Sequence, residues 1–575
     1  MKKIRNRFIY ILGVALSLSA CADMDLKPLS EGSSETWYAT EEELNMAVNE
    51  FYILGYWNTP LESSEQWTDN FTYRNTHRMD ILYGTLSGGQ WEVLRLWEQS
   101  YKLIARANAL LERIDESASG NVSEDKINRY KAEAYFARAC KYADLIAYFG
   151  DVVYYDKSPS LDEAFAKTRT AKDEVIPLVY ADFDKAAAFL PVSYGTASTH
   201  FTKGAALAMK ARFALYMGDW QVAAKAAKDC MDLGEYELHP DFGNLFLANT
   251  KNATKEKIFA IPRSLQNSVV LDQWVVNNEL SRNAGGYGSA VPSWDLLAAF
   301  LCTDGLPIDE SPLFDPKNPF KNRDPRCTQT IVEFGSIHLG FEYNPHPDAL
   351  QVMNYNTGKM QANQDNRAVN QYASFNGLNW KKGIDELWTQ NGRTVDRDYV
   401  IMRYADVLLM YAEAKVELGE IDNSVLDAIN RVRARAYGVS LEAKDRYPAV
   451  SQTDQISLRK TVRLERRVEF ANEGLRYMDL IRWKLASKAL NKKNYGILYP
   501  ASDLISKVTS KGLWFWASTP EIDDDGIADF SAMESAGVIS VLSQRVWDER
   551  QYLWPLPTAE LEISPNLIND NNPGY

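Results

Sequence analysis

The sequence predicts an all-α protein, a tetratricopeptide-like helical-repeat scaffold carrying long irregular loop insertions. Two stretches with one helix-turn-helix plan, and a third of opposite character, lead to that reading. GAALAMKARFALYMGDWQVAAKAAKDCMDLG, Gly204 to Gly234, sets apolar residues at helical spacing on both sides of a Gly218-Asp219 turn and closes on Gly234. RYADVLLMYAEAKVELGEIDNSVLDAINRVRARAYG, Arg403 to Gly438, repeats the plan around Gly419, with Ala412 and Ala414 on its first helix. Small inner residues let paired helices approach closely, and such pairs stack because none buries its apolar face alone. Between about 251 and 400 the pattern changes to Gly, Pro and Asn clusters, as in RNAGGYGSAVPSW, DPKNPFKNRDPRC and YNPHPD. A loop region of that length inside a compact protein is usually functional.

In chain order, residues 1–20 come first. Lys2, Lys3, Arg5 and Arg7 precede a short apolar run, Phe8 to Leu18, which is the pattern of a signal peptide. The run ends in Leu18-Ser19-Ala20-Cys21, the small residues and cysteine that a lipoprotein signal peptidase reads, so Cys21 is the expected lipidation site. Two or more acyl chains anchor stably where one binds only marginally. Asp23 and Asp25 resemble the acidic start of surface-exported lipoproteins, which points to an outer-membrane, outward-facing address.

Helical spacing then covers Trp91 to Ile114, Glu124 to Phe149, Lys172 to Leu190 and Thr202 to Leu233. Repeats are thus expected over about 91–234 and 403–490, with a second irregular insertion over about 491–546. No clean linker divides the chain, so 21–575 reads as one domain. The net charge is −14 for the whole chain, and removing the four bases of residues 1–20 takes it to −18. So acidic a surface repels phosphate backbones and anionic headgroups, which excludes a general nucleic-acid binder.

Catalytic and metal signals are sparse. The chain lacks the zinc-protease, nucleophile-elbow, dinucleotide and P-loop motifs and has five His in all. Cys140 and Cys230 lie in helical stretches as small hydrophobes, and a Cys302–Cys327 disulfide is allowed in an exported protein but not established by spacing. Glu465, Glu469 and Glu473 share one helical face and, interleaved with Arg463, Arg466 and Arg467, read as a salt-bridged surface or packing face. Glu521, Asp523, Asp525, Gly526 and Asp529 match part of a calcium loop, but position 12 is Ala532, so an acidic surface turn is the preferred reading. No cofactor, metal or catalytic residue is assigned.

Four blocks carry a family resemblance: KAEAYFARACKYADLIAYFGDVVYY with its Phe-Gly-Asp-Val turn; THFTKGAALAMKARFALYMGDWQVA; RYADVLLMYAEA followed by RLERRVEFANEGLRYMDLIRWK; and the tail YLWPLPTAELEISPNLINDNNPGY. Smaller echoes are VPSWDLLAAFLCTDG and NRDPR. Together they resemble the SusD-like, RagB-related outer-membrane lipoproteins of Bacteroidetes. The resemblance implies a non-catalytic, cell-surface nutrient-binding protein that captures oligosaccharides, or in some members peptides, for a partner SusC-like TonB-dependent transporter. It also implies that the helical repeats face the transporter and the loops face the ligand.

Glycan recognition needs flat aromatic platforms with amide, carboxylate or guanidinium partners. Aromatic residues make up 12% of the chain, with 15 Trp and 31 Tyr, more than helix packing requires. The early loop YWNTPLESSEQWTDNFTYRNTHR offers Trp67, Asn70, Tyr73 and Arg74; the central loops offer Trp274, Tyr287, Trp380 and Trp388, each flanked by Asn, Gln or Gly. Trp91, Trp97 and Trp294 are expected in the core. Arg74 has two local acidic neighbours, Glu62 and Asp69, as alternatives to an acidic sugar. A peptide-binding groove on the same scaffold, or a surface glycosidase with an acid pair in the loop cleft, are the competing functions.

Overall fold

The structure is a computed structural model, described here for residues 37–58, 60–74, 80–195, 200–251 and 254–575. Residues 1–20 and Cys21 lie outside the described residues. Helix accounts for 45% of the chain and strand for 10%, in short two-stranded ladders and one four-stranded meander, with no barrel.

The scaffold is a succession of helices packed on their sequence neighbours: Trp91–Ser117, Glu124–Phe149, Lys172–Phe189, Lys203–Met217 and Trp220–Met231. Their start signals are local. Thr202 caps the fourth through its hydroxyl, and Asp219 caps the fifth by accepting from the Val222 amide. Gly218 ends the fourth at φ +75°, a left-handed conformation that glycine adopts without strain. Gly204 is needed for a different reason, because a Cβ there would fall 2.2 Å from the Tyr236 hydroxyl oxygen.

The next helix to join this stack, Tyr404–Glu417, packs directly on Trp220–Met231, followed by Asn423–Ala436 and Gln455–Glu469. Everything between leaves the scaffold and returns to it. The neck is pinched by an antiparallel ladder, Lys257–Ile261 against Tyr399–Arg403, with Lys257 opposite Arg403 and Ile261 opposite Tyr399. Ion pairs from Lys251 to Asp396 (2.6 Å) and Lys257 to Asp398 (3.1 Å) reinforce it.

The irregular segments have a hydrophobic core of their own. Trp294, Trp380, Trp388, Phe515, Trp516 and Phe530 pack together, so the central insertion and the second one share a single apolar cluster. In the second insertion Lys493–Ile497 pairs with Ile539–Gln544, while Glu521–Ile522 and Ala528–Asp529 form a hairpin turning on Gly526. Both Asp523 and Asp525 of that turn engage Lys488, so its carboxylates hold a cation from the protein itself.

Of the two readings of the glutamate face, the packing face holds for Glu465 and Glu469, while Glu473 lies beyond the end of the helix Gln455–Glu469 and pairs with Lys382 and Arg403. Glu465 and Glu469 share one side of their helix and Arg466 and Arg467 point to others, yet all four are buried, because other elements surround it. Glu469 meets Arg326 (2.9 Å), Arg403 (2.6 Å) and Arg435; Glu465 meets Arg326 and Arg433, each at 2.7 Å. Arg466 joins Asp406 and Asp479, and Arg467 joins Asp69. All four cysteines downstream of Cys21 are buried free thiols, including Cys302 and Cys327. Burial pushes the Cys230 and Cys327 thiols up to about 12.

Candidate functional site

The eight candidate side chains divide evenly. Trp67, Asn70, Trp380 and Trp388 are buried, and their assignment as ligand contacts is corrected. Trp67 packs edge-on against Tyr477 and Trp554. Asn70 is engaged inside the protein at both ends of its amide, which donates to Glu65 Oε1 (2.9 Å) and whose oxygen accepts from Arg467 Nε (2.9 Å). Trp380 is bridged to Ile331 and enclosed by the second core. Trp388 sits in a turn capped by Asp385, with the Arg397 guanidinium 5.4 Å from its ring. Of the three rings expected in the core, Trp97 and Trp294 are there, whereas Trp91, the first residue of its helix, is 56% exposed.

The other four, Tyr73, Arg74, Trp274 and Tyr287, converge on one face. The strand Phe71–Tyr73 pairs antiparallel with Ala290–Pro292, and the Arg74 amide donates to Ser289 O at 2.7 Å. That ladder lays the early loop beside the central insertion. Trp274 opens a short helix, Gln273–Glu279, whose cap Asp272 accepts from the Trp274 amide. Its ring lies nearly parallel to Tyr73, 5.9 Å between centroids and 19° between planes, and is 37% exposed. Asn278, one turn on, donates to Trp274 O and accepts from the Ser289 and Tyr73 hydroxyls, fixing both rings from below.

Tyr287 projects from a glycine-rich turn whose backbone is fastened to the preceding helix. The Tyr287 amide donates to Asn277 O (2.6 Å) and the Ser289 amide to Asn278 O (2.9 Å). A Cβ at Gly286 would lie 2.3 Å from Leu280 O, so only glycine allows the turn to close there. The Tyr287 ring is 47% exposed on this rigid base.

Arg74 takes neither acidic neighbour: Glu62 is paired with Arg263 at 2.5 Å, and Asp69 with Arg467 and Arg476. Instead Arg74 Nη1 donates to Tyr287 O (2.8 Å) and Tyr372 O (2.6 Å). Sequence reasoning missed Tyr372, although Asn370 and Gln371 flank it just as such residues flank the chosen rings. Its ring is 54% exposed, with the Arg74 and Arg282 guanidinium carbons 5.6 and 5.7 Å from its centroid. Also missed were Arg282, Arg367 and Tyr499, for which no local signal exists. The Arg367 guanidinium carbon lies 3.9 Å from the Phe375 ring centroid and 4.1 Å from that of Tyr499.

This face is an open platform. Two cavities lie elsewhere, one of about 530 Å³ beside the Asp523 turn and an apolar one of about 430 Å³ between Trp97 and Leu567. A buried carboxyl, Glu279, is pushed up to about 7 by burial against the opposing pull of Arg397. It lines, with Glu62, a small cavity of about 80 Å³. Among the described residues no cluster of His, Cys, Asp and Glu has the makeup to hold a metal ion.

The helical repeats, with inserted loops that carry this cluster of exposed rings and guanidinium groups, make up a TPR-like fold. The chain belongs to the SusD family: the profile of that family matches residues 255–575, and a second profile, described as starch-binding associating with outer membrane, matches residues 25–215. Among its relatives is the SusD-like protein P2 of Formosa agariphila, 26% identical over 611 residues and covering all of both chains. A SusD-like carbohydrate binding protein from Bacteroides fragilis is a solved structure 29% identical, with a TM-score of 0.75 over 92% of this chain and 100% of the other. The surface glycan-binding protein A of Bacteroides fluxus shares the fold at 19% identity, with a TM-score of 0.61 over 93% of this chain and 100% of the other.

Proposed function

We propose that this protein is a cell-surface glycan-binding lipoprotein, one domain from residue 21 to 575, that captures oligosaccharides and delivers them to a SusC-like TonB-dependent transporter in the outer membrane. The observation that carries the reading is the convergence of Tyr73, Trp274, Tyr287 and Tyr372 as half-exposed or exposed rings on anchored backbone, with the Arg74 and Arg282 guanidinium groups beside them. Sugar C–H faces stack on such rings while hydroxyls meet the donors. An open face suits a polymer that extends past both ends of its site, and it lets ligand leave toward a transporter. The fold's relatives add support, since one is described as carbohydrate binding. Its action is binding without turnover.

The test is calorimetric titration of the soluble chain with a panel of plant, host and microbial polysaccharides, with a peptide mixture as control. Heat with one glycan class is expected, and Trp274→Ala should weaken it at least about tenfold, roughly 1.4 kcal/mol, with no change in the unfolding midpoint. Heat with peptides alone, or turnover of a glycan, would overturn the reading.

Anchoring is tested separately. Cys21→Ser should abolish incorporation of labelled palmitate and move the protein from the membrane to the soluble fraction. Unchanged membrane retention of that variant would count against lipidation at Cys21.

A further inference from the structure

The charge distribution at the aromatic face runs against that of the whole molecule. The chain carries −14 overall, and its buried guanidinium groups generally meet carboxylates: Arg138 with Asp182, Arg212 with Asp406, Arg326 with Glu465, Arg482 with Glu413. Arg74, Arg282 and Arg367 form no ion pair among the described residues. Arg367 is the sharpest case. It is 9% exposed and, among the described residues, donates no hydrogen bond and is held between two aromatic rings, with Nε buried and unsatisfied. A buried cation without a counterion is costly, and stacking on rings offsets only part of that cost.

The other two keep donors to spare. Among the described residues, Arg282 uses Nε on Tyr372 O at 2.5 Å and leaves both outer nitrogens uncommitted, and Arg74 uses Nη1 alone, with Nε buried and unsatisfied. Arg74 links the other two: it shares the Tyr372 carbonyl with Arg282 and interacts electrostatically with both, and burial with that repulsion brings Arg367 down to about 10. The nearby carboxylate, Asp365, faces inward: it accepts the Arg282 and Asn283 amides and is pushed up to about 6 by burial. It offsets Arg282 in part and leaves Arg367 uncompensated.

Resting on the glycan-binding reading of this same face, we propose that its ligand is an anionic oligosaccharide bearing carboxylate or sulfate groups, received by Arg282, Arg74 and Arg367 between the stacking rings. Guanidinium forks match both anions bidentately, which a point charge does not. The ligand then supplies the counter-charge that the protein omits.

Matched pairs of probes test this by calorimetry on the whole chain after residue 20, carrying Cys21→Ser. One pair is oligogalacturonate and its fully methyl-esterified form; the other is a sulfated galactan oligosaccharide and its desulfated form. At least one charged member should bind tenfold or more tightly than its neutral mate, and that preference should shrink between about 50 and 500 mM NaCl as screening grows. Which pair shows it distinguishes carboxylate from sulfate. Arg282→Gln should remove most of the charged member's advantage over its neutral mate, Arg282→Lys should restore only part of that advantage, and both variants should melt like the parent protein. Equal binding within both pairs overturns the anionic assignment while leaving glycan binding standing. Heat with peptides only overturns both, and no heat with any of the four overturns the anionic assignment alone.

Discussion

Glu469→Gln is expected to lower the unfolding free energy by about 3–5 kcal/mol, the size seen when one partner of a buried ion pair is removed. Glu469 is inaccessible to solvent and touches three guanidinium groups, from Arg326, Arg403 and Arg435, which come from the central insertion, the neck strand and the scaffold. The amide would leave those cations short of one charge in a medium that cannot solvate them. Burial pushes this carboxyl upward, but Arg435, Arg403 and Arg326 outweigh it and hold it well below the usual range. Asp406 is likewise lowered, to about 2, where Arg212 and Arg466 overcome burial. A carboxyl depressed in the folded state contributes stability that is complete above its unfolded value near 4 and is lost as pH falls through the folded value. Urea midpoints should therefore drop between about pH 4 and 2 in the parent protein, and less steeply in Glu469→Gln. A loss under about 1 kcal/mol at neutral pH would show that the network contributes little.

Trp380→Ala should destabilise by about 3–5 kcal/mol, the range for a large aromatic deleted from a core. Trp274→Ala should stay within about 0.5 kcal/mol, as surface substitutions do. The rings have similar sequence surroundings: Trp274 sits in LDQWVVNN and Trp380 in GLNWKKG. They differ in that Trp380 is closed over by the second core and Trp274 stands beside Tyr73 at the surface. Denaturant unfolding of the two variants, paired with glycan titration, should give opposite patterns, stability lost in one and binding in the other. Glycan affinity lost in a folded Trp380→Ala protein at native Tm would reinstate that ring as a contact.

Legibility in the sequence followed the range of the interactions. The helix pairs could be read because their causes lie within one turn: apolar spacing, the Thr202 and Asp219 caps, and Gly218 at positive φ. Tyr73, Arg74, Trp274 and Tyr287 could be chosen from composition alone, and Tyr372 met the same criterion. Trp67, Asn70, Trp380 and Trp388 met it too and were enclosed by partners far along the chain, Asn70 by Arg467 across 397 positions. Arg367 had no such signal, since its role rests on Tyr499 from the second insertion.

By itself, then, the sequence determined the helical scaffold and the family, both of which depend on residues near one another or on motifs held in order. Only the tertiary structure decided which aromatic rings face water and which arginines lack a counterion. Exposure and ion pairing depend on the closure of the neck ladder and the second core, where the free energy of each group is set by neighbours hundreds of residues away.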